Sequence, residues 1–430
     1  MILSLACSAP VQVYLVPAPR ELQILGSGGT TDEPELISAE TGLGPEGYVL
    51  EVGRRSASIT AEGPAGLFYG QQTLSQLEQR PRVLIRDEPL YSWRGSMIDV
   101  ARHFFTVEEL KGHIDLMALH KLNRLHLHLT DDQGWRLQIL SWPQLTTVGG
   151  STEVGGGPGG FYTQEDYREL VAYAAERFIT VVPEVDMPGH CNAALASYGE
   201  LNPSGQPTEL YTGTDVGFSS LWLGDETTLR FVEEVLTEVA GLTPGPWVHV
   251  GADEAHETDP QEYKAFLQAV QPTLSGLDKT LVGWDEVASA ELPEPYVLQW
   301  WRSEDNALDG ASQGASIIAS PAEHAYLDMA YDGSSDLGGF WAGFTDLEDA
   351  YTWDVVPAGV PPEAVLGLEA PLWSELPETW EEVEYLVWPR LAGHAELAWT
   401  GSRGWEDYRP RLEAHLQRLD ALGVAYADEL

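Results

Sequence analysis

Basic residues are scarce in this sequence: 23 Lys and Arg stand against 67 Asp and Glu, for a formal net charge of −44. A chain this acidic repels nucleic-acid phosphates and anionic lipid surfaces, so neither is an expected partner. Cysteine is nearly absent, with only Cys7 and Cys191 in 430 residues, which argues against a disulfide framework. No apolar run approaches the ~18–20 residues of a membrane span, so no span is expected. The start, Met1 to Cys7, is apolar but short and lacks a basic segment. It resembles the stub of a secretion or lipoprotein signal but is too short to count as one, so the compartment stays open, with a secreted or envelope location favoured slightly over the cytoplasm.

What is present is a globular composition, 43% apolar, with 15 Trp. The length allows one large domain and one small one. Residues 1–90 read as a small α+β N-terminal domain. Val13–Val16 and Tyr48–Val52 look like strands, and Leu67–Leu77 has apolar residues at helical spacing. Residues 91–430 alternate strand-like and helical runs. The strand candidates are Ser96–Val100, Arg124–Leu129, Thr180–Val185, Trp247–Gly251, Thr280–Trp284, Tyr296–Trp300, Ser316–Ala319 and Val365–Leu368. They are short and mostly aliphatic, as strands covered on both faces are. Thr106-x-x-Glu109 and Thr163-x-x-Asp166 are capping boxes that open helices. The reading is α/β: a (β/α)8 TIM barrel preceded by a small α+β domain.

A barrel of this kind gathers its chemistry at the C-terminal ends of its strands. Here those ends carry Asp99 and Arg102-His103, then Asp131-Asp132, then Glu184, Asp186 and His190. Further along come Asp253-Glu254, Trp284-Asp285-Glu286, Trp300-Trp301-Arg302, Tyr326 with Asp328, and Glu369 with Trp373 and Glu375. A lone Trp or Asp is ordinarily structural; carboxylates and indoles in register at every strand end describe a sugar pocket. Indole faces pack on pyranose faces while carboxylates and Arg bond hydroxyls. Asp253-Glu254 is the sharpest pair. Glycoside cleavage needs an acid for the leaving oxygen and a negative group near the anomeric carbon. Two adjacent carboxylates raise each other's cost of ionising, so one is expected to hold a proton near neutral pH. His190 is placed to bond Glu254 and tune it. The bland alternative for the pair is an acidic helix cap.

The motifs RGSMIDVARHFF (Arg94–Phe105), HLHLTDDQGWR (His126–Arg136), PEVDMPGH (Pro183–His190) and HVGADE (His249–Glu254) together resemble glycoside hydrolase family 20. GWDE (Gly283–Glu286), QWW (Gln299–Trp301), YLD (Tyr326–Asp328) and LWSE (Leu372–Glu375) extend the resemblance. It implies an exo-acting retaining β-N-acetylhexosaminidase that acts on an oligosaccharide through the substrate's own 2-acetamido group, a departure from the two-carboxylate scheme. Asp253 would orient that group and Glu254 would be general acid and base. Arg102 and Glu375 would bind the O3, O4 and O6 hydroxyls, and Asp328 a further hydroxyl. Trp284, Trp301 and Trp341 would wall in the acetamido group, with Trp300 the alternative to Trp301. Trp373 would lie under the ring and Tyr326 would donate to the acetamido oxygen. Asp131 and His190 would relay to Glu254. No metal or cofactor is implied. Ala252 stands where the family often has Gly, a change expected to be harmless, and the N-terminal domain looks shortened. Three rivals remain: a disaccharide-releasing relative, a non-catalytic sugar-binding protein, and a metal-dependent hydrolase using His126, His128, His190, His249 and Asp253.

Overall fold

The computed structural model describes residues 11–78, 80–402 and 404–430; Cys7 and the apolar start lie outside them. The small domain comes first. Its strands are β1 (Glu21–Gly26), β2 (Glu35–Ser38), β3 (Tyr48–Val52), β4 (Ala57–Ala61) and β5 (Arg82–Asp87), in sheet order β1-β5-β3-β4-β2. Alternating Tyr48, Leu50 and Val52 of β3 bury one face of the sheet against Tyr69 and Leu74 of the helix Pro64–Gln76. The segment Val13–Val16 is not a strand. Side chains stand in for a ladder at its end: the Val16 N–H donates to Gln76 Oε1 (3.1 Å), Gln76 Nε2 donates to the Val16 carbonyl (2.8 Å), and Arg411 Nη1 donates to the Leu15 carbonyl (3.1 Å).

The aliphatic runs that follow form β6 (Trp93–Asp99), β7 (Arg124–His128), β8 (Thr180–Glu184), β9 (Trp247–His249), β10 (Thr280–Trp284), β11 (Val297–Trp300), β12 (Ser316–Ala319) and β13 (Val365–Leu372). Every pairing among them is parallel, and β13 returns to β6, with Leu372 opposite Ile98, so the barrel closes. Both sequence-read capping boxes are formed, at Thr106/Glu109 and Thr163/Asp166. A third, Thr379/Glu382, opens the helix Trp380–Val387.

The two-residue period of the strands splits their side chains between lumen and helices. Leu125 and Leu127 of β7 join the main core, while His126 and His128 turn inward. The lumen has an apolar layer of Trp93, Val182, Val282, Val297 and Ile318. One pleat further along the strands the fill becomes polar: His126, Glu184, Gln299 and Glu369, all fully buried. Glycine is required beside them, because a Cβ on Gly95 would stand 2.3 Å from Glu369 Oε2.

The small domain is fastened to the base of the barrel by buried charge. Arg94 pairs with Glu46 (2.7 Å) and Lys121 with Asp87 (3.0 Å), and both cations lie over the Trp399 ring. At the other end, buried Arg390 donates to the carbonyls of Leu327, Met329, Thr345 and Leu386, pinning both ends of the loop that follows β12.

One buried group has a measurable cost. His394 is enclosed near Trp353, and neither ring nitrogen finds a hydrogen-bond partner among the described residues. Burial, with Arg390 and His324 nearby, lowers its pKa from 6.5 to about 3. The unfolded chain therefore takes up this proton first, and the stability tied to neutral His394 is lost as pH falls from 6.5 toward 3. His394→Leu should reduce the loss of unfolding free energy between about pH 7 and about pH 5 by roughly 2 kcal/mol. Urea titrations at the two pH values measure it, and equal losses in variant and parent would refute the assignment.

Candidate active site

A cavity of about 450 Å³ opens at the C-terminal ends of the barrel strands. Of the residues singled out from sequence, Arg102, His190, Asp253, Glu254, Trp301, Tyr326, Asp328, Trp341, Trp373 and Glu375 line it. Asp131 and Trp284 stand directly behind this lining: Asp131 pairs with Arg102 (2.8 Å), and the Trp284 ring lies 5.7 Å from that of Trp373. Trp301 faces the cavity, whereas Trp300 packs into the main core. Trp341 is at the mouth, 59% exposed and edge-on to Trp301 and Tyr326.

The deep end is ionic. Arg102 is held by Asp99 (3.2 Å), Asp131 (2.8 Å) and Glu375 (3.4 Å), and its guanidinium lies 4.9 Å over the Trp373 ring. Asp99 fixes the turn itself, accepting from the backbone N–H groups of Ala101, Arg102 and Ser374. Burial, then the charge of Glu375, pushes Asp328 up to about 8. Burial also raises Glu375, against the pull of Arg102.

The pair Asp253-Glu254 lies on a contorted strand end. Gly251, Ala252 and Glu254 all have positive φ (62°, 71° and 44°), as does His190 (48°). Left-handed backbone costs a non-glycine residue about 1–2 kcal/mol, so alanine at 252 is not free. Asp186 Oδ1 takes the Ala252 N–H (3.1 Å) and Tyr263 donates to the Ala252 carbonyl (2.7 Å), which holds the turn. His190 Nε2 lies 3.7 Å from Asp253 Oδ2 and 3.6 Å from Glu254 Oε2, and its Nδ1 bonds Asp131 (3.3 Å).

One carboxyl of the pair is pushed toward its protonated form, and it is Asp253. Burial raises it first, helped by Glu184 and Glu254. Glu254 moves the other way: its contact with His190 lowers it, and Arg302 and His256 add to that. Burial works against the charged form of His190, but Asp131 and Asp253 outweigh it and hold the imidazole well above its ordinary value. The mutual repulsion follows from adjacency in the sequence, and His190 was read as a partner of Glu254; Arg302 comes from the end of β11, which adjacency does not reveal.

The sequence reading gave no role to Glu184, which lies beneath all of this. Its Oε1 accepts from Trp284 Nε1 (2.9 Å), and its Oε2 faces His128 Nδ1 (2.5 Å) and His126 Nε2 (3.1 Å). His128 then bonds Asp131 (2.8 Å). Asp285 was also missed: its Oδ2 accepts from the backbone N–H groups of Trp301, Arg302 and Ser303. The signal for both was a carboxylate at a strand end. Four groups bring possible metal ligands within 4.8 Å: His126/Glu184/His249, His128/Glu184/Asp186, Asp131/Asp132/His190 and Asp186/His190/Asp253. The histidines of the metal rival are thus divided between lumen and cavity. In the first group the two imidazoles stack at 4.6 Å and 28°, with His126 Nε2 3.1 Å and His249 Nδ1 3.0 Å from the oxygens of Glu184.

Comparison with known proteins gives concordant results. The model of the glycosyl hydrolase family 20 catalytic domain matches residues 91–264 and 257–402, and that of the family's domain 2 matches residues 13–88. A beta-N-acetylhexosaminidase of Cellulomonas fimi is 42% identical over 424 residues, covering 95% of this chain and 85% of its own. The solved beta-N-acetylhexosaminidase of Streptomyces coelicolor superposes with a TM-score of 0.94 at 41% identity, covering 98% of this chain and 99% of that one. A mutant Streptomyces plicatus beta-hexosaminidase, solved in complex with its product GlcNAc, gives 0.93 at 40% identity, with 98% of each chain covered. The chain belongs to glycosyl hydrolase family 20.

Proposed function

We propose that the chain is an exo-acting retaining β-N-acetylhexosaminidase that releases a terminal N-acetylhexosamine by substrate-assisted catalysis. One observation carries the reading: Asp253 Oδ1 is buried at the cavity wall with no hydrogen-bond partner among the described residues. A buried carboxylate oxygen left without a donor is costly and points to a donor on the ligand. The acetamido N–H of a sugar is such a donor. Asp328 Oδ1, likewise buried and unpartnered, suits a ring hydroxyl. The ionic deep end at Arg102 and Glu375 suits the hydroxyls of a chain terminus, and the family relatives with this architecture are named for the activity.

In the first step the acetamido oxygen bonds to the anomeric carbon and the glycosidic C–O bond breaks. Glu254 gives its proton to the departing oxygen, and Asp253 stabilises the positive oxazolinium. In the second, water bonds to the anomeric carbon, the acetamido oxygen recovers its electron pair, and Glu254 takes the water's proton. Two inversions give net retention. A sugar filling the cavity removes water from around Glu254, raising its pKa toward that of an acid. The His190 imidazolium, backed by Asp131, is the proton source within reach. Trp301, Tyr326 and Trp373 form the apolar wall for the acetamido group and ring, Trp284 backs it, and Trp341 closes the mouth.

Glu254→Gln should cost about 10²–10⁴-fold on a disaccharide with a poor leaving group and far less on an activated aryl glycoside; equal losses on both would remove it as the acid. Asp253→Asn should cost about 10²–10³-fold on both substrates. Hydrolysis of an aryl β-N-acetylglucosaminide but not the matching aryl β-glucoside, unchanged by chelator, is the expected behaviour of the parent. Chelator-sensitive turnover would revive a metal mechanism, and turnover of neither would favour the sugar-binding or disaccharide-releasing readings.

A further inference from the structure

Glu254 has a second neighbour that neither the motifs nor the reaction scheme uses. Its Oε2 faces His190, but its Oε1 faces Arg302 Nη1 at 3.8 Å. Arg302 lies on the cavity wall and is fixed from three directions. Its backbone N–H is held by Asp285 Oδ2 (3.0 Å), its guanidinium lies 4.3 Å over the Trp301 ring, and its Nη2 donates to Glu286 Oε1 (2.7 Å). Glu286 is anchored in turn, accepting from Trp301 Nε1 (3.0 Å). An arginine whose side chain is 43% exposed would ordinarily wander, and this one is clamped.

We propose that Arg302, clamped between Trp301 and Glu286, is a positioning residue for Glu254: it aims the carboxyl group and stabilises the negative charge that Glu254 acquires on giving up its proton in the first step and holds until it takes the proton of the attacking water. The proposal rests on the reading of Glu254 as acid and base. A contact at 3.8 Å in open water is worth little; a sugar in the cavity excludes that water and strengthens the contact. The other charged or titratable groups around Glu254 are His190 with Asp131 behind it, Asp253, Asp186 and His256. His190 is tied to Asp131 and shared with Asp253, so it cannot serve Glu254 alone. Arg302 has no such competing duty inside the cavity. Its other carboxylate partner, Glu286, takes Nη2 and leaves Nη1 facing Glu254.

Arg302→Met keeps an apolar stem on Trp301 and removes the charge. Loss of a cation beside a carboxylate raises the carboxyl pKa. The alkaline limb of kcat, where the acid form of Glu254 is lost in the substrate complex, should therefore move up by about one pH unit. Arg302→Lys should restore most of the original profile. Affinity for a thiazoline mimic of the oxazolinium, which reports on the Trp301 wall, should stay as in the parent. An unmoved pH profile in Arg302→Met overturns the proposal, and if thiazoline binding weakens at the same time, Arg302 is only a prop for Trp301. Should Glu254→Gln in the parent fail to discriminate between leaving groups, the acid/base reading fails and takes this inference with it. The two failures are thus told apart by different variants.

Discussion

The lumen of a (β/α)8 barrel is ordinarily filled by branched aliphatic side chains. Here Glu184 occupies that space, and a carboxylate out of reach of water must be met by donors on every side. His126, His128 and Trp284 meet it. Burial opposes its ionisation, but the surrounding imidazoles, His128 foremost, hold it well below the usual carboxylate range. In return Glu184 and Glu369 raise His126 to about 9 against the effect of burial. Carboxylates and imidazoles therefore support one another in a layer fixed by strand register. The rest of the site stands on that layer. Through Trp284 it sets the indole behind the apolar wall. Through His128 it sets Asp131, and Asp131 in turn holds Arg102 and His190. The wall that contacts one end of a sugar and the ions that contact the other share one buried anchor.

The cavity above it separates charge by depth. Arg102 is surrounded by three carboxylates, so its own charge is already answered. It can bond hydroxyls without attracting an anion. Asp253, Asp328 and Glu375 are all pushed toward protonation, chiefly by burial.

The periodic and local features were legible in the sequence. All eight barrel strands and both capping boxes were readable because period, β-branching and i, i+3 polar pairs are local signals. The strand ends gave the site, since register alone brings Asp253, Arg102 and Glu375 to one rim. What escaped was set by contacts distant in the chain. Val13–Val16 carries strand-like residues, yet Gln76, 60 positions away from Val16, takes the polar groups of Val16. The left-handed φ of Ala252 follows from the turn around Asp186 and has no signature in an alanine. The pairing of Glu254 with His190 was read from the turn after β8, but its contact with Arg302 was not, because Arg302 is adjacent to it only once the barrel is closed.

The loop after β12 has two unequal parts. Its stem carries Tyr326 and Asp328 and is riveted by the five-donor guanidinium of Arg390, which spans carbonyls from Leu327 to Thr345. Its tip, with Phe340 and Trp341, stands in solvent. Sequence drift at the tip can reshape the doorway while the stem keeps its register, because the rivet is bonded to backbone and is indifferent to side chains. Natural variation or directed evolution thus has a handle there on what lies beyond the cleaved bond, felt inside the cavity only where Trp341 meets Trp301 and Tyr326.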